Sequence, residues 1–265
     1  METTRTQNQR RAELAHRALI GLWAAAVVAA LALAPGAFAE TQGGWQFNEA
    51  ASQVNAVSYE TLTAVIGAAR LALTGLMLAT AALLLPRRAP GAQLAALALT
   101  TLPYTFNLAG SGRSTDYPAP WPAVLVAVAT AVSVVGIGAL LLLLFLFPNS
   151  RFYPARLRLP ALAGTALVLG GLALLQVFED AWVAFMFCLT GLILLGIVGQ
   201  VLRYRSAAPL TRRQGAGFLA AILALPVWVA ISAAGFSPVL ELAAGYAVLA
   251  LLPVGLLLGV SRGLW

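Results

Sequence analysis

Few side chains in this sequence can do chemistry within an apolar setting. Arg70 lies inside an otherwise apolar run, and Glu179 and Asp180 stand side by side between two others. An ionisable group among membrane-spanning residues is costly, so it points to function. Arg70 has two readings: its stem snorkels to the headgroups, or its charge pairs with Glu179 or Asp180. The adjacent carboxylates can bind a cation or take up a proton, or they form the hydrated tip of a hairpin. Asn107 and Gln176 lie near the ends of apolar runs, where they suit hydrogen bonds between helices. Together with Trp182, these residues outline a candidate ligand pocket: Arg70, Asn107, Gln176, Glu179, Asp180 and Trp182.

Other chemistry is poorly supplied. His16 is the single histidine, in a polar N-terminal stretch, and Cys188 is the single cysteine, in an apolar run. No intrachain disulfide, Cys/His metal cluster or Ser/His/Asp set can be built from them. Cys188 is expected to serve as a small hydrophobe. The short Gly-x-Gly stretches at 136–138 and 215–217 follow no strand, so neither reads as a nucleotide loop. The expectation is a chain without catalytic residues, metal or cofactor.

The elements that would position these residues follow from composition. Of 265 residues, 61% are hydrophobic and only 9% charged, against about 25% charged in soluble domains. The fold class expected is therefore all-α, a polytopic transmembrane helix bundle. Lipid offers the backbone no hydrogen bonds, so the spans must be helices. Eight runs are long enough, given about 20 residues per span: 18–39, 62–85, 91–110, 123–147, 161–178, 182–202, 216–235 and 240–260. Residues 1–17 form a basic cytoplasmic tail, 40–61 an extracytoplasmic segment, 62–260 a seven-span domain and 261–265 a cytoplasmic end. Segment 40–61 reads as a solvated connector or as a flap over a ligand. The first run, followed by Ala37-Phe38-Ala39, also has the layout of a signal peptide; cleavage would leave seven spans.

All 16 basic residues are arginine. With both termini in the cytoplasm, fourteen of them fall in inside segments, while Arg113 lies outside and Arg70 within a span. Seven of the nine acids then fall outside. That asymmetry is the positive-inside pattern and places the chain as a multi-pass protein of the plasma membrane. Clusters between spans, with no separate basic domain, exclude nucleic acid as a partner. Gly255-Leu-Leu-Leu-Gly259 is a G-x-x-x-G, a close-packing motif. The mid-helix prolines Pro103, Pro226 and Pro253 do not fall at matching positions in two halves, and no internal repeat is apparent.

Two inside loops carry a more specific pattern. Phe147, Pro148, Arg151, Phe152 and Pro154 form a compact Pro-bracketed turn. Two runs later, Arg203, Tyr204, Arg205, Pro209, Arg212 and Gln214 again pair arginine with an aromatic. In order and spacing these loops resemble those of the polytopic N-terminal region of bacterial sensor histidine kinases. The stretch from Ser58 to Arg88 resembles that family's second span, and Ser261 to Trp265 the stretch before its cytoplasmic part. The resemblance covers about residues 55–265. Asn149-Ser150 stands where the family has Asp-Gly, and Gly215-Ala216 where it has a basic-aromatic end. The family's dimerisation helix, phosphoacceptor histidine and ATP-binding domain do not occur within residues 1–265. The resemblance thus implies a sensory input module that couples a stimulus at the membrane to a cytoplasmic output. Its expected partners are the lipid bilayer, a second copy of the chain and a cytoplasmic kinase or response-regulator system. A transporter or channel, and a structural or assembly protein, are the alternatives.

Overall fold

The computed structural model describes residues 2–43, 58–105, 121–148, 151–152, 154–174, 182–233 and 238–261. Among them it is all-helical, without strands. The helices are α1 (Glu2–Gly43), α2 (Tyr59–Leu84), α3 (Pro90–Thr105), α4 (Trp121–Leu146), α5 (Arg158–Leu174), α6 (Trp182–Ser206), α7 (Pro209–Ala233) and α8 (Pro238–Ser261). A 3-10 turn, Ala155–Leu157, leads into α5. Each of the eight apolar runs overlaps a helix; residues 106–110, 175–178 and 234–235 of those runs lie outside the described residues. Four stretches within them, Gln9–Ala34, Glu60–Leu84, Phe187–Ser206 and Leu242–Ser261, are long and apolar enough to cross a membrane.

Local chemistry sets several boundaries. Ser58 caps α2, its hydroxyl accepting from the Thr61 N–H at 3.3 Å. Prolines open α3, α7 and α8, where the first turn needs no N–H. α7 begins several residues before its apolar run because Pro209, not hydropathy, marks its start.

α2, α3, α4, α6, α7 and α8 follow one another as neighbours in a closed cycle. α1 lies outside it against α2 and α3; α5 lies outside it against α4 and α6. One core cluster runs through the cycle, with Met77, Leu84, Leu99, Leu143, Phe147, Phe218 and Leu256 almost wholly buried. α3 is buried on nearly every side. Its alanines let neighbours approach, and Thr100 and Thr101 return their hydroxyls to the carbonyls of Ala96 and Leu97 at 2.7 and 2.9 Å. These bonds keep polar oxygens satisfied inside an apolar bundle.

The neighbour pattern repeats. α1–α2, α2–α3 and α3–α4 have counterparts in α5–α6, α6–α7 and α7–α8. α2 meets α8 as α6 meets α4. Helices α1–α4 and α5–α8 thus form two partly like halves, although their mid-helix prolines do not coincide. The repeat is partial: α1 also packs on α3 and α5 on α4, and neither contact has a counterpart in the other half. The likeness lies in which helix packs on which, a property that proline positions do not report.

The first helix is integral to this packing. Leu33 is 1% exposed. Trp23 Nε1 donates to the Leu78 carbonyl at 3.0 Å, and the Tyr104 hydroxyl donates to the Ala26 carbonyl. α1 runs without a break through Ala37-Phe38-Ala39. Cys188 is exposed on α6 rather than packed.

Candidate functional site

The two arginine-aromatic loops come together. The last four carbonyls of any helix lack intrahelical donors. At the end of α4 the side chains of α6 supply donors to two of these carbonyls, those of Leu144 and Phe145, and to two more just beyond the helix. Gln200 Nε2 donates to the Leu144 carbonyl at 2.6 Å and to that of Phe147 at 3.1 Å. One turn on, Arg203 donates to the Phe145 carbonyl at 3.1 Å and also to that of Arg151. Gln200 is 6% exposed, so these bonds are made in the interior, where polar pairing is indispensable. The α6 helix therefore caps α4 across the boundary between the two halves. Arg212 in turn donates to the Arg205 carbonyl at 2.5 Å, tying the start of α7 to the end of α6.

Around these bonds lies a cleft of about 390 Å³. Phe147, Pro148, Arg151 and Phe152 line it from the first loop. Gln200, Arg203, Tyr204 and Thr211 line it from the second and from the α7 start. Its floor is aromatic: Phe147 stacks at 4.0 Å on Phe218 of α7, and Phe152 lies 6.4 Å from Phe145. Arg205, Pro209 and Arg212 flank it; Pro154 caps the 3-10 turn beyond. The Gln214 side chain, Asn149, Ser150 and Tyr153 lie outside the described residues.

The cleft is electropositive on sequence grounds as well. Between Asp116 and Glu241 the chain has no acid except Glu179 and Asp180. Neither loop at this end therefore carries a counter-charge. An arrangement of guanidinium groups, hydroxyls and an aromatic floor can hold an anion with an apolar body. Among the described residues no group of three or more His, Cys, Asp or Glu could hold a metal ion.

The pocket expected around Arg70 is described only in part. Asn107, Gln176, Glu179 and Asp180, the Trp182 side chain, residues 44–57 and residues 262–265 all lie outside the described residues. Arg70 itself is 6% exposed, and its Nε donates to the Tyr246 hydroxyl of α8 at 3.2 Å. The expected pairing with Glu179 or Asp180 falls on residues outside the described ones. Gln200 and Tyr246 were not singled out in the sequence. Gln200 could have been, as a lone amide three residues before Arg203 in an apolar helix; nothing in the sequence ties Tyr246 to Arg70. Comparison of the chain with protein-family models, with curated proteins and with solved structures yields no match in any of the three.

Proposed function

We propose that this chain is a non-catalytic, multi-pass protein of the plasma membrane. Its eight helices span the bilayer, and the arginine-rich end faces the cytoplasm. It acts as a sensory input module, coupling a stimulus in the bilayer or at its outer side to a cytoplasmic output. One observation carries this reading. Two loops about fifty residues apart, each resembling a loop of histidine-kinase input regions, meet at one cleft and are bonded across the two halves by Gln200 and Arg203. A shift of α4 against α6 is then felt directly at the cytoplasmic surface. The output partner is a kinase or response-regulator system, reached from a homodimer.

Such coupling requires two arrangements of the bundle whose populations the stimulus shifts. The test uses the full chain in vesicles, with Cys188→Ser removing the single native thiol. Spin labels at Ala89 and Ser206 report the separation of the halves at the arginine-rich end. Two separations whose weights change between short-chain and long-chain phosphatidylcholine are expected. A single distribution, unmoved by bilayer thickness, refutes the reading.

The repeated neighbour pattern of the halves favours a carrier as the second reading, since many transporters are built from such repeats. Substrate-dependent flux abolished by Arg70→Ala would establish it.

A further inference from the structure

We infer that the cleft between the two arginine loops is a binding site for a phosphate-ester anion. The inference rests on the reading that this end faces the cytoplasm.

Three independent features converge there. The first is charge. Arg151 and Arg203 both line the cleft, and the hydrogen bonds that Arg203 makes to neutral carbonyls leave its charge in place. No acid of the same loops offsets either arginine. Guanidinium forks match phosphate oxygens better than any other side chain.

The second is the start of α7. Ala208 and Thr211 line the cleft at the first turn of a 25-residue helix. Its positive dipole end and unsatisfied N–H groups favour an anion there.

The third is size and aromatic lining. About 390 Å³ is ample for a phosphorylated small molecule. A bare ion needs no aromatic wall, whereas a phosphate ester has an organic part to lay on the half-buried Phe152. The Tyr204 side chain on the cleft wall suits the ester oxygens.

The ester can come from an anionic lipid headgroup or from a soluble phosphorylated compound. A basic cleft at the cytoplasmic ends of membrane helices suits the first. Both share the recognition chemistry, so the experiment separates them.

The full chain is placed in nanodiscs of phosphatidylcholine alone, then with increasing phosphatidylglycerol. In parallel, glycerol 3-phosphate is added to the phosphatidylcholine discs. Lipid retention by native mass spectrometry and thermal stability are read in both arms. Saturable stabilisation in either arm is expected, and the responding arm names the source. Arg203→Gln should raise the half-saturating concentration about tenfold, the loss of one charge-assisted contact. Because Arg203 also caps α4, Arg151→Gln is the second variant. Arg151 is exposed, so this change leaves the core intact and should weaken binding severalfold. Arg156→Gln, outside the cleft wall, should change nothing. No saturable response in either arm, or equal weakening by Arg156→Gln and Arg151→Gln, overturns the site. Binding without any change in the Ala89–Ser206 separation would keep the site and refute the sensory reading; a thickness-driven separation without anion binding would do the reverse.

Discussion

Substituting Gly217 by alanine tests a close approach of α7 and α8. A Cβ on Gly217 of α7 would lie 2.8 Å from both the Cα and the carbonyl oxygen of Gly255 in α8. Carbon atoms pack best at about 3.5–4.0 Å. The atoms in the way are backbone, so no side chain can swing aside, and the two helices must part locally by about 1 Å. Overpacking of this kind costs about 1–3 kcal/mol. Helix propensity opposes it, since alanine gains up to about 1 kcal/mol over glycine in a helix interior. The net expectation is a loss of about 1–2 kcal/mol, or a fall in Tm of about 2–8 °C at about 2–4 °C per kcal/mol for chains of this order of size. Gly75→Ala and Gly191→Ala are internal controls. Nothing lies within 4 Å of either new Cβ, so only the propensity gain remains and Tm should hold or rise. The assay is the surviving monodisperse fraction after heating in detergent, followed by fluorescence-detected size exclusion. If Gly217→Ala behaves like the two controls, the glycine contact is not a packing constraint and the reasoning fails.

Other substitutions test other parts of the structure. Gln200→Leu leaves the Leu144 and Phe147 carbonyls without their donor and should cost about 1–3 kcal/mol, read as a lower Tm in the same assay; an unchanged Tm would show that α6 does not cap α4. Tyr246→Phe removes the acceptor of the Arg70 Nε–H and should cost about 0.5–1.5 kcal/mol by thermal melting, while Arg70→Leu in the Tyr246→Phe background should add less than it does alone. Trp23→Phe deletes one bond between α1 and α2 and should cost about 1 kcal/mol. A tag fused before Met1 should remain on the membrane-bound chain, as judged by immunoblot, because α1 packs against α2 and α3; loss of the tag would favour the signal-peptide reading.

Hydropathy located the helices well because lipid-like composition leaves few alternatives to a helix. Helices run past the apolar stretches where something other than hydropathy decides. α1 extends back to Glu2 through polar residues, which a helix tolerates outside an apolar setting. α7 begins at Pro209, well before its apolar run. Gly255 stood out in the sequence as half of a G-x-x-x-G, and it is a packing glycine. Its partner is Gly217 on another helix, an identity that no spacing within one helix encodes. The two loops of the cleft were each visible as motifs. Their meeting was not, because it depends on α4 and α6 being neighbours while α5 lies outside them. Gln200 was legible as a lone amide in an apolar helix, but its acceptors at the end of α4 were not, because they lie about fifty residues away in the chain.

The bonds between the halves have a mechanical consequence. The halves meet where α2 packs on α8 and where α4 packs on α6 and α5. The α2–α8 and α4–α6 contacts are the two polar seams. Each seam holds one polar latch: Arg70 with Tyr246 in the first, and Gln200 and Arg203 with the end of α4 in the second. The first latch lies toward the α8 start, the second at the opposite end of the bundle. A rocking of one half on the other that strains one latch is resisted at the other, on the diagonal. Rigid-body motion of two packed halves is a common switching device. Here its axis would run between the latches, and releasing a single hydrogen-bonded pair would shift the balance of the whole bundle.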